Sequence, residues 1–293
     1  MDGKVDLHIH SNKSTDGDFS VYHILHLAKK DGFRAVSITD HDTVAAYPQA
    51  IEVGKSLGVE VIAGVELTTL QGSREFHLLL PFVNWKDKRI TRIIQEIGRR
   101  RIQEARERVK KLQQLGFDIS WEEVRKKSGP HPPLGVTIAQ ILLQKAEKKK
   151  EHPLQVYLQG KDQIFAPYRF YQDYFMEGKP AHVLKRNVKL LDLLEEVSQA
   201  GGVPVLAHPG AYFQQATKDD LLLLKEKGLQ GLEVYTSYHD PQQTTFYKGI
   251  AEKLDLVSTA GSDFHGKIKP HIPFGCLNEG NYEMVQELKK RRP

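Results

Sequence analysis

The sequence predicts an α/β fold: a distorted barrel of seven strand–helix units, interrupted once by a helical insertion. Three observations carry this. Short apolar runs of strand length alternate with helical patterns. The crossovers between them are short, as parallel strands joined by single helices require. The length, 293 residues, admits one large α/β barrel or two ordinary domains.

The first strand is Val5–Ile9, running into His10-Ser11 and the polar turn cluster Asn12–Asp18. Ser20 reads as an N-cap, opening a helix with Ile24, Leu25, Leu27 and Ala28 on its inner face and stopping at Gly32. Arg34–Thr39 is a second strand leading into Asp40-His41-Asp42. A helix through Ala50, Val53 and Leu57 follows, ending at Gly58. Val59–Ala63 is the third strand, leading into Gly64-Val65-Glu66, and Glu75–Leu80 is the fourth, carrying His77. The rhythm then breaks. Residues 85–179 are helical and strongly basic, with Arg92, Arg99, Arg100, Arg101, Arg106, Arg108, Lys110 and Lys111, and a run Lys148-Lys149-Lys150 further on. Ile93, Ile97, Val109 and Leu112 still give this stretch an apolar stripe, so it reads as an inserted subdomain between the barrel segments 1–84 and 180–293. The pattern resumes with a helix over Leu190–Ala200 and a strand over Val203–Ala207 ending in His208. A helix near Leu221–Lys227 precedes the strand Gly231–Tyr235. A last helix leads to the strand Leu256–Ala260, which runs into Gly261-Ser262-Asp263-Phe264-His265. The whole reads as a distorted (β/α)7 TIM-like barrel with its insertion after the fourth strand.

Composition excludes several classes. A 40% hydrophobic, 27% charged chain is ordinary for a globular protein. One cysteine, Cys276, rules out an internal disulfide and any cysteine-rich zinc module, and reads as a buried apolar residue in a reducing compartment. No apolar run reaches the roughly 20 residues that span a bilayer, and no signal peptide is evident, so no membrane partner and a cytoplasmic location are expected. A formal charge of +5 permits an acidic small molecule or nucleic acid without demanding either.

The informative pattern is where the polar residues fall. On a strand, residues two apart share a side, so His8 and His10 project together. Two neighbouring imidazoles suit a divalent cation such as Zn, Mn or Fe. The remaining strands end alike, in His41, Glu66, His77, His208, Asp263 and His265. In a barrel of parallel strands these ends open onto one face, where such folds build their sites.

Asp6-Leu7-His8-Ile9-His10-Ser11, Thr39-Asp40-His41-Asp42, Gly64-Val65-Glu66, Ala207-His208-Pro209 and Ser262-Asp263-Phe264-His265 together resemble the motifs of the PHP (polymerase and histidinol phosphatase) superfamily. The resemblance spans the chain except the basic insertion. It is closest to the stand-alone phosphoesterases acting on AMP or nucleoside 3',5'-bisphosphates, some of whose relatives trim RNA from a 5' end. Gly178-Lys179-Pro180 and Gly231-Leu232-Glu233-Val234 with His239 belong to the same likeness. It implies three divalent metals, Zn, Mn or Fe. The first would be held by His8, His10, Glu66 and Asp263, the second by Asp16, His41 and His265, and the third by His77, His208 and the other oxygen of Glu66. Asp18 is the alternative to Asp16. Asp6 would act as support, and Asp40 and Asp42 as orienters of ring nitrogens.

The implied chemistry is metal-assisted hydrolysis of a small phosphorylated, nucleotide-like substrate by a metal-activated hydroxide, with Glu66 and Asp263 central to catalysis. Arg101 and Arg106 stand where these relatives place basic residues near the mouth, and His239 where they place a histidine able to anchor phosphate or protonate a leaving oxygen. Two departures concern the substrate alone: Gly135-Val136-Thr137-Ile138-Ala139 replaces an expected Arg-x-His pair, and Ala211 replaces a frequent basic residue. The alternatives are a 5'–3' exonuclease on short RNA or DNA 5' ends, a histidinol-phosphatase-like activity, and a non-catalytic metal-binding regulatory module.

Overall fold

The computed structural model describes residues 3–149, 153–160, 163–212 and 214–293; Lys150 of the lysine run lies outside them. The chain divides into two compact units, Met1–Gln95 with Val188–Pro293, and Glu96–Asn187.

The first unit holds two sheets. In the smaller, β1 (Lys4–Ile9), β2 (Phe33–Ile38) and β3 (Glu60–Ala63) pair in parallel in that order. Helix α1 (Val21–Lys30) joins the first two. Ser20 caps it by accepting the His23 N–H at 3.2 Å, and Val21, Ile24, Leu25 and Ala28 are buried. Helix α2 (Gln49–Leu57) ends at Gly58, whose φ of 69° is the left-handed C-cap that glycine adopts without strain. Ile9, Val36 and Ile38 pack with residues of both helices in one apolar core.

The larger sheet corrects the expected barrel. Its order is β4 (Glu66–Gln71), β5 (Arg74–Leu79), β6 (Val205–Leu206), β7 (Gly231–Thr236) and β8 (Val257–Gly261). β5 runs antiparallel to both β4 and β6, whereas β6, β7 and β8 are parallel. Eight strands are therefore present among the described residues, not seven, and the sheets do not close into a barrel. The cause is a hairpin. Leu67-Thr68-Thr69-Leu70-Gln71 is β-prone, Gly72-Ser73 is its two-residue turn, and Gly72 takes a φ of 64° that matches strand twist. Reading the strand at Glu75 as parallel to the third overlooked this reversal.

The two sheets meet at isolated bridges, and those seams position the site. Ile9 bridges Phe264, with the His10 N–H donating to Phe264 O at 2.9 Å and the Asp263 N–H to His8 O at 2.9 Å. His41 bridges Glu66, and the Asp42 N–H donates to Glu66 O at 2.9 Å. Helices α7 (Leu190–Ser198), α8 (Lys218–Glu226), α9 (Pro241–Lys253) and α10 (Tyr282–Lys290) also belong to this unit, and α10 was not read from the sequence.

The second unit is helical. It contains most of α3 (Lys88–Gln114), then α4 (Trp121–Ser128), α5 (Gly135–Glu147) and α6 (Ala166–Tyr174), around a core that includes Val109, Leu112, Ile138, Leu142 and Phe170. The division falls inside α3 and at Val188, later at both ends than the 85–179 read from composition. Contacts explain the shift: Arg92 pairs with Glu196, and the Leu70 N–H donates to Val188 O at 2.8 Å. No helix among the described residues is long and apolar enough to cross a membrane.

Candidate metal centre

The eight residues singled out at strand ends and Asp16 of the turn cluster converge in the first unit. His8, His10 and Asp263 flank one seam, and His41 and Glu66 form the other. Asp263 holds a positive φ of 57°, and His208 one of 24°, conformations uncommon outside glycine. Glu66 lies at the middle, fully buried. Its Oε2 stands 3.2 Å from His8 Nε2, 3.0 Å from His10 Nε2 and 3.1 Å from His41 Nδ1. Its Oε1 stands 2.9 Å from His77 Nδ1 and 3.1 Å from His208 Nε2. Asp16 Oδ2 lies 3.5 Å from His41 Nε2 and 3.4 Å from His265 Nε2. Asp18 points elsewhere, accepting the Lys267 N–H at 3.1 Å, so Asp16 is the loop carboxylate that meets the imidazoles.

These distances fit an ion better than a hydrogen-bond network. Donors held about 2.1 Å from one cation stand about 3.0–3.4 Å from each other. Among His8 Nε2, His10 Nε2, Glu66 Oε2 and Asp263 Oδ1, the measured edges are 3.0, 3.2, 3.2, 3.0 and 3.1 Å. Glu66 Oε2 is buried and makes no hydrogen bond of normal geometry despite three ring nitrogens at that range. Lone pairs that converge on a common point, rather than on each other, are what a coordination site requires. The residues fall into three groups able to hold a metal: His8, His10, Glu66 and Asp263; His10, Asp16, His41 and His265; and His41, Glu66 and His77.

Ring orientation is fixed by residues that the sequence reading did not assign to it. His8 Nδ1–H donates to Glu233 Oε1 at 3.0 Å, freeing Nε2 to face inward, while Glu233 Oε2 accepts the His208 N–H at 2.7 Å. His265 Nδ1–H donates to the Asp263 carbonyl at 2.7 Å, and Glu75 lies 3.4 Å from His77 Nε2. The signal for Glu233 was present: a carboxylate inside the apolar strand Gly-Leu-Glu-Val, fully buried, needs a partner. Asp40 and Asp42 orient the backbone instead. Asp40 accepts the Ser11 N–H and hydroxyl at 2.6 and 2.7 Å, and Asp42 those of Thr68 at 2.8 and 2.9 Å. Asp6 likewise accepts the His8 and Ser262 N–H groups at 3.2 and 3.0 Å, tying the two ligand-bearing segments together. Changing Glu233 to Gln should weaken metal affinity about 10- to 100-fold, the usual effect of losing a ligand's orienting partner. Titration with Zn²⁺ against a competing chelator measures it; unchanged affinity would mean His8 needs no such partner.

His239 is hydrogen-bonded within the fold. Its Nδ1–H donates to Val234 O at 2.9 Å, its Nε2 accepts the Gly210 N–H at 2.9 Å, and its ring stacks on Tyr247. With both nitrogens engaged it ties the Pro209-Gly210 loop to the strand that carries Val234. Arg101 and Arg106 lie on α3 in the helical unit, where Arg106 stacks over Trp121 at 4.9 Å. Two other residues sit at the cluster without having been anticipated. Tyr238 O–H donates to Asp263 Oδ2 at 2.7 Å, and Lys269 Nζ donates to the same oxygen at 2.7 Å.

Electrostatics sharpen the picture for the metal-free protein. Burial opposes protonation of His8, but Glu233, Glu66 and Asp263 more than offset it and lift its pKa well above the ordinary histidine range. Burial is outweighed in the same way at His10, which Asp263 and Glu66 raise to about 9, and at His77, which Glu66 and Glu75 raise to about 10. Burial lowers His41, His208 and His265. Burial opposes ionisation of Glu66 and Asp263, yet surrounding imidazoles, with Lys269 for Asp263, hold both well below the carboxylate range. A raised pKa means that the proton is bound at neutral pH, so a cation must displace it. Metal uptake is therefore expected to release protons at pH 7, and affinity to rise with pH through about 9 and about 10, where His10 and His77 become half deprotonated. Calorimetry in buffers of different ionisation enthalpy tests this; no proton release at pH 7 would mean these imidazoles take no ion.

Comparisons with known proteins agree with this site. A model of the PHP domain matches residues 6–289. A 5'-3' exoribonuclease from Haemophilus influenzae is 26% identical over 98% of this chain and 97% of its own. A phosphoribosyl 1,2-cyclic phosphate 1,2-diphosphodiesterase from Eggerthella lenta is 29% identical over 92% of this chain and 97% of its own. The crystal structure of a candidate metal-dependent phosphoesterase from Bifidobacterium adolescentis superposes with a TM-score of 0.80 at 25% identity, covering 98% of this chain and 96% of that one. With the His, Glu and Asp cluster able to hold metal, the chain belongs to the PHP domain family and is a hydrolase, a metal-dependent phosphoesterase.

Proposed function

We propose that this protein hydrolyses a phosphomonoester of a small nucleotide-like molecule, of the AMP or nucleoside 3',5'-bisphosphate type. The observation that carries the reading is Glu66, a single buried carboxylate whose two oxygens face five imidazole nitrogens. In this reading His8, His10, Glu66 Oε2 and Asp263 hold one divalent ion, Asp16, His41 and His265 a second, and His77, His208 and Glu66 Oε1 a third. Zn, Mn or Fe would suit such mixed shells. When bound, such ions supply Lewis acidity and an activated water for attack on phosphorus. Three divalent charges outweigh the three carboxylates and leave the pocket net positive, which favours a phosphate dianion. Glu233 and Glu75 keep the imidazoles aimed, and Asp6 and Asp40 hold the first strand's end in register with its neighbours.

The two curated relatives are named for acting on an RNA 5' end and on a phosphoribosyl cyclic phosphate. Both substrates present phosphate on a ribose, which supports a nucleotide-like ester here. A second reading, a 5'–3' exonuclease on RNA or DNA, is favoured by charge distribution. The helical unit carries 19 Lys and Arg against 11 Asp and Glu, whereas the rest of the chain has 23 against 26. Arg101 and Arg106 belong to that basic unit. The test is phosphate release with Mn²⁺ or Zn²⁺ from AMP, a nucleoside 3',5'-bisphosphate and histidinol phosphate, alongside a 5'-phosphorylated oligonucleotide. No turnover of any monoester with metal bound overturns the first reading. Oligonucleotide binding that weakens steeply with salt, as counterion release dictates, would mark the second.

A further inference from the structure

We propose that Lys269, seated by Tyr238, binds the substrate phosphate, its ammonium donating to a non-bridging oxygen beside Asp263. The inference rests on the phosphoesterase reading of the same cluster and adds a contact supplied by the protein itself. Asp263 divides its two oxygens. Oδ1 lies 3.2 Å from His8 Nε2 and 3.1 Å from His10 Nε2, while Oδ2 accepts from both Lys269 and Tyr238 at 2.7 Å. Lys269 also donates to the Tyr238 hydroxyl at 2.8 Å, and its side chain keeps 14% of its surface exposed, so it stands at the rim of the cluster. The Tyr238 ring packs 5.2 Å from that of His208, which fixes the seat against a second ligand-bearing segment.

This placement is unfavourable for a purely structural lysine. A largely buried ammonium beside a cluster suited to divalent cations adds like charge where desolvation already costs several kcal/mol per ion. Asp263 offsets part of that charge while sharing itself with the ligand cluster. An anion entering the pocket removes the conflict, and a compact ammonium with three donors suits a phosphate oxygen. Three positions considered for a phosphate contact supply no cation in this chain. Ala211 and Thr137 are buried, and both His239 nitrogens are bonded within the fold. In the ion pairs Arg74–Asp220 and Arg291–Asp255 of the same unit the cationic side chains are more exposed than that of Lys269.

The test uses the full chain loaded with Mn²⁺ and inorganic phosphate as probe. For Lys269→Gln, metal content and the thermal midpoint should stay as in the wild type. Its Kd for phosphate should weaken about 10- to 100-fold, the worth of one charge-assisted hydrogen bond, with KM for the ester rising alongside. Lys269→Arg, which keeps the charge, should recover most of the affinity, and stands in if the Gln variant does not fold. Unchanged phosphate affinity in the Gln variant overturns the proposal. So does a loss of bound metal that accounts for the whole effect, because Lys269 would then merely hold Asp263 in place. A wild type that binds phosphate yet hydrolyses no monoester would sink the substrate reading alone, and Lys269 would still stand or fall on its variants.

Discussion

Glu66→Gln should strip bound metal from the protein and lower kcat/KM at least about 1000-fold, about 4 kcal/mol of lost transition-state stabilisation. The side chain keeps its size, so the expected loss is chemical. The carboxylate presents Oε2 to His8, His10 and His41 and Oε1 to His77 and His208, all at 2.9–3.2 Å. An amide retains one acceptor and replaces the other with an NH2, a donor that cannot coordinate a cation. Whichever way it turns, one side of the cluster loses its oxygen. The metal-free variant carries a second signature. Glu66 helps raise His10 to about 9 and His77 to about 10 against burial, so both should titrate lower in the variant. The sign follows: a raised folded pKa stabilises the fold fully below about 6.5 and loses that effect as pH rises through the folded value, so the variant's deficit should vanish towards about 10; it should also fade in strong acid, where the wild-type Glu66, held well below 4.5, takes up its own proton. Elemental analysis and an NMR pH titration check the two parts. A variant that keeps its full metal content would show that Glu66 holds no ion.

Much of this centre was legible in the sequence because ligation leaves a periodic trace. His8 and His10 share a strand face by spacing alone, and the recurrence of His, Asp or Glu after successive apolar runs located the other partners. What was not legible depends on pairing rather than on spacing. Strand direction is set by partners, so Glu75–Leu80 read as a parallel strand and Glu66–Gln71 went unread, although Gly72-Ser73 reverses the chain between them. The α/β class survived that error, while the closed barrel did not. Orienting groups were hidden for the same reason. Asp40 and Asp42 adjoin His41 in sequence but bond Ser11 and Thr68, while Glu233 reaches His8 from 225 positions away. His239 matched a pattern by position, and its two hydrogen bonds go to Gly210 of the loop and to Val234 of β7. Lys269 carried no motif at all, since its meaning comes from one contact with Asp263.

Asp263→Asn should abolish turnover, by at least about 1000-fold, in a protein that still folds. Asp263 sits at a φ of 57°, a conformation that Asn tolerates about as well as Asp. Ala at this position would add backbone strain and blur the result, so Asn is the variant to make. The amide then faces a choice the carboxylate does not. Lys269 and the Tyr238 hydroxyl both donate to Oδ2, so the favourable flip places the amide oxygen there. That flip aims the NH2 at His8 Nε2 and His10 Nε2, where Oδ1 stood 3.1–3.2 Å away. A donor now occupies the place of a ligand, and the opposite flip sets NH2 against an ammonium. Either way the His8–His10 side loses affinity for its cation, and metal content should fall together with activity, while the metal-free protein also loses stability because Lys269 is left without its carboxylate. The contrast with Lys269→Gln, which should keep its metal and lose phosphate, separates holding the ion from holding the substrate. If Asp263→Asn kept both its metal and its turnover, the carboxylate would lie outside the ligand shell, and the edges of 3.1–3.2 Å that it shares with His8 and His10 would have to be explained by hydrogen bonding alone.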